Sequence, residues 1–518
     1  GAALKVATLL PAAALLLAAA GPARDAGPAA PRALDEAAVR SAAAGAFPEL
    51  LELLSIPNDA SVPADVARNA AWLEAAFTRR GFATRPLPNG GRPLVLADWS
   101  GNRSGKGTVL FYLHFDGQPV LPEQWSQESP FRPVVKRRGP DGAWRAAPTA
   151  ELLRPDFDPE LRLFARSASD DKGPIAMLLA SLDLLRAQGL EPAVNVKVLL
   201  DSEEEAGSPG MAAVVAAHRA ALAADALVLV DGPVHPSGRP TLVFGNRGIA
   251  QATLTVFGPR APLHSGHYGN WAPNPAQRLA TPLASMKGDD GRVTIDGWYA
   301  RTKLTDADRA LLAAVPDDEA AMKQRLGIAG PDRVGATYQE SLQQPSLNVR
   351  GLSAAATGAK AANVVPHEAV AELDLRTTPE ADGAYLFGLL RAHVERQGWH
   401  LVDGEPTDEE RARYPKLARL SFDAGEPAAR QAYDAPVGRW AAAAVEAAFD
   451  GAPPVRIRMM GGTVPTDAIV GPLGTPFVIL PLVNGDNNQH AFDENLRMGS
   501  FLSGMRSLLG LLRTPYPG

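Results

Sequence analysis

Asp201-Ser-Glu-Glu-Glu-Ala-Gly-Ser208 sets three consecutive carboxylates at the end of an apolar, alternating run, Val194 to Leu200. Adjacent acids repel one another. A divalent cation is the common compensation, since one carboxylate binds the ion while a free neighbour takes a proton from the water that the ion polarises. Alone, the run reads as a solvated acidic loop. Its company changes that reading. His114 and Asp116 follow one strand-like run, Glu204 and Glu205 the next, and Asp231 a third, while His490 lies shortly after the last and Asp170 opens a helix. Singly, His114 reads as a half-buried histidine, Asp170 and Asp171 as helix-start acids favoured by the dipole, Asp231 before Gly-Pro as a turn former, and His490 as a loop residue. Jointly, two histidines with three carboxylate ligands and two spare carboxylates make a complete oxygen and nitrogen donor set for paired zinc ions. The chain contains no cysteine. Disulfides, thiol catalysis and thiolate ligation are therefore excluded, and any metal is held by His, Asp and Glu.

The elements that must position these residues read as an α/β fold. Asp35 to Leu54 and Ala64 to Arg80 carry apolar residues at helical spacing, the second opening after Pro63 and closing at Gly81. Pro93 to Ala97 and Thr108 to Leu113 are runs of strand formers, and Gln118 to Leu163 reads as an irregular insertion near a site mouth. A helix opens at Pro174 and ends at Gly189, followed by the strand Val194 to Leu200, a helix near Gly210 to Leu222 and the strand Ala226 to Val230. Strands alternating with helices predict a mixed, mainly parallel sheet flanked by helices, with function beyond the carboxyl ends of the strands. From Thr241 the pattern changes. Strand runs Ala250 to Phe257, Ser346 to Val349 and Ala369 to Arg376, with helical stretches Asn274 to Met286 and Ala381 to Gln397, predict an inserted α+β domain. A helix near Val437 to Phe449, the strand Phe477 to Pro481 and a helix from Leu496 to Leu512 resume the first pattern. The expected division is a catalytic domain in two parts, 35–246 and 403–518, around a lid and dimerisation domain, 247–402.

The 518 residues are 46% hydrophobic and 21% charged, as in a globular protein of more than one domain. A net charge of −6 carries no basic footprint for nucleic acid. Small molecules or peptides are the expected partners. Lys5, the uncharged Ala/Leu-rich stretch Val6 to Ala20 and the small residues after it have the layout of a secretory signal peptide, residues 1–23, with 24–34 as a disordered linker. Periplasmic or secreted localisation follows, with membrane attachment only if that segment is retained.

In order along the chain, His114-Phe-Asp116, Ala168-Ser-Asp-Asp-Lys-Gly-Pro174, Glu204-Glu-Ala-Gly-Ser208, Asp231, Gly245-Asn-Arg-Gly248, His264-Ser-Gly266, Gly461-Gly-Thr463 and His490 resemble the co-catalytic zinc exopeptidases. That family includes carnosinases, non-specific dipeptidases, glutamate carboxypeptidases and aminoacylases, and the Asp-Asp-Lys-Gly-Pro and His-Ser-Gly elements look most like the carnosinase and dipeptidase branch. The resemblance implies two Zn2+ per subunit, with Mn2+ or Co2+ as substitutes. His114 and Asp231 would bind one ion, Glu205 and His490 the other, and Asp170 would bridge them. Asp116 would orient His114, and Glu204 would be the general base that serves a metal-activated water. The register of the glutamates rests on Ala206-Gly-Ser208; one position earlier, Glu203 and Glu204 would take these roles. His264 matches a histidine that reaches across a homodimer to the scissile carbonyl oxygen, and Asn363 stands where the branch has a threonine that meets substrate. Arg376 matches a substrate-binding arginine, with a cross-strand ion pair as its alternative, and Gly462 and Thr463 match the loop that meets the substrate carboxylate. The implied activity is hydrolysis of dipeptides or short peptides with a free carboxyl terminus. The alternatives are an N-acyl amino acid amidohydrolase of the same family, or a secreted binding protein on this fold that has lost catalysis.

Overall fold

A computed structural model describes residues 31–517 of the chain. The expected signal peptide, 1–23, and most of the expected linker lie outside the described residues, and positions 31–34 are irregular. Among the described residues no helix is long and apolar enough to cross a membrane.

The larger domain is built on an eight-stranded sheet. Its order is Phe82–Leu87, Leu94–Trp99, Asn195–Asp201, Thr108–His114, Ala226–Val230, Phe477–Leu480, Thr241–Val243 and Val455–Ile457. Thr108–His114 runs parallel to both Asn195–Asp201 and Ala226–Val230, and Phe477–Leu480 runs parallel to Ala226–Val230. Central parallel strands are covered on both faces, so they read as continuous apolar runs. All five residues of Ala226–Val230 are buried accordingly. Each large aliphatic side chain so buried contributes roughly 1.5–3 kcal/mol. One face packs on the helices Glu36–Leu54, Lys172–Ala187, Pro436–Ala448 and Met498–Arg513, the other on Met211–His218 and Thr466–Leu473. The mixed, mainly parallel sheet flanked by helices is the fold class read from the sequence.

The smaller domain is a five-stranded sheet in the order Ser346–Ser353, Glu368–Thr377, Gly248–Phe257, Leu417–Glu426, His400–Leu401. Burial alternates strictly along Glu368–Thr377, because one face meets the helices Pro275–Met286 and Gly383–Arg396 while the other does not. The expected lid boundary at 402 is corrected here. Leu417–Glu426 pairs antiparallel with Gly248–Phe257 and belongs to the lid, so the chain re-enters the catalytic domain only at Ala429–Arg430, which pairs with Gly245–Asn246.

Gln118 to Leu163 is not wholly irregular: Val134–Arg138, Trp144–Ala146 and Arg162–Phe164 join Asn495–Arg497 in an antiparallel sheet. Between 287 and 345, the short helices Asp306–Ala313, Glu319–Leu326 and Tyr338–Ser341 form a strap from the lid to the catalytic domain. Gln343 Nε2 donates to Met459 O at 3.1 Å, and the His235 ring bonds Asp317 at 2.8 Å.

Candidate active site

Four strands of the large sheet deliver the expected side chains to one cleft. His114 is the last residue of Thr108–His114 and Asp201 the last of Asn195–Asp201, after which one turn of 3₁₀ helix, Glu204–Ala206, carries Glu204 and Glu205. Asp231 follows Ala226–Val230, and the loop after Phe477–Leu480 brings His490. Asp170 precedes the helix Lys172–Ala187. The cleft has a volume of about 460 Å³ and is lined by Asp170, Glu204, Glu205, Asp231, Gly462, Thr463 and His490.

Asp170 lies between the two histidines. Its Oδ1 is 2.9 Å from His114 Nε2 and its Oδ2 is 2.9 Å from His490 Nε2. His490 Nε2 also stands 3.1 Å from Glu205 Oε2, while His114 Nε2 is 3.7 Å from Glu204 Oε2 and 3.9 Å from Asp231 Oδ1. Donor atoms of His114, Glu204 and Asp231 lie within 4.8 Å of one another, as do those of His114, Asp170 and Glu205. Of the two adjacent glutamates, Glu205 is the one that meets His490.

Asp116 is fully buried and does more than face His114. Its carboxylate lies 3.3 Å from His114 Nδ1, and its two oxygens accept the backbone N–H groups of Glu204 at 3.1 Å and Glu205 at 3.0 Å. With Nδ1–H given to Asp116, His114 in its neutral form would offer the Nε2 lone pair to an ion in the cleft. Asp116 thereby fixes one histidine and the backbone of both glutamates.

The electrostatics favour positive charge in the cleft. Burial pushes the Asp231 carboxyl up to about 7, with the charge of Asp170 adding to the effect. Burial likewise raises Glu204 and Glu205, and neighbouring carboxylates raise both further. Burial opposes the His114 imidazolium, yet Glu204, Asp116 and Asp170 carry its pKa well above the usual histidine value. Four buried or half-buried acids in one cleft cannot all ionise cheaply unless positive charge stands among them. The donor set of imidazole nitrogens and carboxylate oxygens, with no thiolate, fits zinc and its divalent neighbours.

The remaining expected residues fall into two groups. Gly462 and Thr463 line the cleft, and Arg376 Nη1 donates to Thr463 Oγ1 at 2.7 Å. The cross-strand ion pair considered for Arg376 is replaced by this hydroxyl. His264 and Asn363 do not line the cleft. They lie together on a short lid ribbon, where Leu263–His264 pairs with Val364–Val365 and Ser265 N–H donates to Asn363 O at 3.0 Å. His264 is exposed, its Nδ1 accepting the Gly266 N–H.

Several residues in the site escaped the reading of the sequence. Glu494 accepts the backbone N–H groups of Ser167, Ser169 and Asp170 and the Arg166 guanidinium, each at 3.0 Å. Asp201 takes the Tyr112 hydroxyl at 2.7 Å, the Ser208 hydroxyl at 2.5 Å and the Glu203 N–H at 3.0 Å, which anchors the turn of the glutamates. Gln118 Nε2 donates to Glu205 Oε2 at 2.8 Å. Asp201 heads the acidic run, and that position was its only signal.

The family described as peptidase family M20/M25/M40 matches residues 110–514. The chain belongs to that family. Within it, the chain is 26% identical over 484 residues to the Cys-Gly metallodipeptidase dug1 of Schizosaccharomyces pombe, covering 88% of this chain and 92% of that one. It is 24% identical over 347 residues to the Beta-Ala-His dipeptidase of Mus musculus, covering 65% of this chain and 64% of that one. Among solved structures, the M20 family metallo-carboxypeptidase Sso-CP2 from Sulfolobus solfataricus superposes with a TM-score of 0.67 at 26% identity, covering 90% of this chain and 98% of that one. The resemblance read from the motifs is therefore shown, and this M20 protein is a metal-dependent hydrolase, a metallopeptidase.

Proposed function

We propose that this M20 enzyme is a dinuclear zinc exopeptidase that hydrolyses dipeptides or short peptides bearing a free carboxyl terminus. The observation that carries the reading is Asp170, whose two oxygens each face one histidine. His114 and Asp231 would hold one ion, His490 and Glu205 the other, with Asp170 shared between them. Bound zinc supplies Lewis acidity and lowers the pKa of an attacking water from 15.7 towards about 7. Glu204 takes the water's proton at its carboxylate and hands it to the departing amine. Asp116 keeps His114 in the tautomer that turns Nε2 inwards.

Arg376 with Thr463 receives the substrate α-carboxylate at the cleft mouth, where a planar guanidinium fork suits a carboxylate better than a point charge does. His264 and Asn363, displayed outside the cleft on the lid, are supplied to the second subunit of a homodimer, where His264 donates to the scissile carbonyl oxygen. Support also comes from the dipeptidase activities named for the relatives from S. pombe and mouse. The layout of residues 1–23 supports export to the periplasm or beyond, and sequencing the amino terminus of the mature protein tests it.

Metal analysis combined with a panel of dipeptides and N-acetyl amino acids, with and without chelator, tests the activity. Chelator-sensitive cleavage of dipeptides is the expected result. Cleavage of the N-acetyl compounds alone would reassign the enzyme as an amidohydrolase, and bound zinc without turnover of any compound would leave a binding protein.

A further inference from the structure

We propose that Arg247 is a positioning residue, which holds the loop Gly461-Gly-Thr463 so that the Thr463 hydroxyl aims Arg376 at the substrate carboxylate; this rests on the exopeptidase reading above. Arg247 is the single residue between the catalytic-domain strand Gly245–Asn246 and the first lid strand Gly248–Phe257. It sits at the crossing of the two domains and bonds the loop at three successive points. Its N–H donates to Met460 O at 2.9 Å, its Nε donates to Gly461 O at 3.1 Å, and its carbonyl accepts the Thr463 hydroxyl at 2.7 Å. A fourth bond, from Nη1 to Gln344 O at 3.2 Å, ties the same guanidinium to the strap.

The Thr463 hydroxyl explains how this reaches substrate. A hydroxyl has one proton to give. Here that proton goes to the Arg247 carbonyl, so the oxygen's lone pair faces Arg376 Nη1, 2.7 Å away. Arg376 is thereby aimed through Thr463 by Arg247. Gly461 shows how closely the side chain lies on the loop: a Cβ there would stand 2.7 Å from Leu342 Cδ2 and 3.1 Å from Arg247 Nη2.

Charge points the same way. The acceptors of the two guanidiniums are the neutral oxygens of Gly461, Gln344 and Thr463. Burial and the nearby charge of Arg376 pull the Arg247 guanidinium down to about 10. Among the described residues no carboxylate lies within ion-pair distance of either guanidinium, and two neighbouring cations opposed only by the more distant Asp374 favour the arrival of an anion. A substrate carboxylate relieves that repulsion, and an amidated carboxyl terminus does not.

The test compares the wild-type holoenzyme with Arg247→Met, Arg247→Lys and Arg376→Met on one dipeptide and on its carboxy-terminal amide. Bound metal and thermal melting are measured for each. For Arg247→Met the expected result is a rise of about 10-fold in KM for the free carboxylate, with kcat and metal content little changed and KM for the amide unmoved. Arg247→Lys keeps the charge without the fork that spans Gly461 and Gln344, and is expected to recover less than about half of the loss. An unchanged KM, or equal losses on the two substrates, overturns the proposal. Arg376→Met separates the two ideas. If the wild-type enzyme does not itself prefer the free carboxylate, the exopeptidase reading fails; if Arg376→Met leaves the preference intact, Arg376 is not the carboxylate reader and the proposal fails with it; if Arg376→Met abolishes the preference while Arg247→Met does not, only the role of Arg247 fails. Should Arg247→Met not fold, Arg247→Lys, which keeps the charge and loses the fork, decides by the same KM comparison.

Discussion

Glu494 Oε2 accepts the backbone N–H of Asp170 at 3.0 Å, so the carboxylate shared by His114 and His490 is set in place by a second, fully buried acid. The other oxygen of Glu494 binds the Ser167 N–H and Arg166, and Arg166 Nη1 also donates to Ala491 O. One carboxylate therefore joins the segment that carries Asp170 to the loop that carries His490.

Replacing Glu494 by Ala would leave Arg166 buried without its partner and three backbone donors without an acceptor. A loss of about 3–5 kcal/mol in stability is expected, together with weaker metal binding at Asp170. Denaturant unfolding and metal titration check this, and an unchanged metal affinity would confine Glu494 to holding the fold.

Glu204→Gln preserves shape and removes the proton acceptor. Turnover is expected to fall by about 10²–10⁴-fold with metal content intact. If the variant loses metal instead, Glu204 is a ligand and the base is elsewhere in the triplet.

The two histidines should differ when replaced by Ala. His114 is fully buried and bonded on both ring nitrogens, whereas the His490 side chain is 51% exposed. Both variants are expected to lose one ion per subunit by elemental analysis. His114→Ala should also lower the stability of the metal-free protein by about 3 kcal/mol through its cavity and unpaired carboxylates, and His490→Ala should change it by less than about 1 kcal/mol.

Metal removal by chelator should lower the melting temperature reversibly. Free zinc at a hundred times its dissociation constant restores about 2.7 kcal/mol, since the folded site binds it and the unfolded chain does not. A melting point indifferent to zinc would refute the metal site.

His264→Ala is expected to keep its metal and lose ~100-fold in turnover, the scale of one lost oxyanion donor. Co-expression of His264→Ala with Glu204→Gln tests the subunit that supplies the histidine. Random pairing of two inactive chains should restore about a quarter of wild-type activity if the histidine crosses a two-fold interface. No recovery would place its action within one chain, or nowhere.

What could be read from the residues, and what could not, follows from where the signals lie. His114, Glu205 and Asp231 stand at the ends of apolar strands, a pattern visible without coordinates, and the cleft gathers them as expected. Leu417–Glu426 is hidden because only its first half buries a face; from Ser421 onward every residue is exposed, so no alternation marks it and the sequence alone puts the lid boundary too early. Phe82–Leu87 carries Arg85 and Pro86, tolerated because it is an edge strand. Arg247 was visible as part of a motif, but its partners Gly461 and Thr463 lie 214 and 216 positions away. Glu494 looks like any loop acid until its burial is known.

The placement of Phe477–Leu480 between Ala226–Val230 and Thr241–Val243 bears on when activity can first arise. On the ribosome, the amino-terminal half of the large sheet waits with a gap until the whole lid has been made and the later strand arrives to fill it. The same late segment brings His490. Until that segment has been made, the chain lacks one of the two histidines that face Asp170, so the cleft is completed only near the end of synthesis.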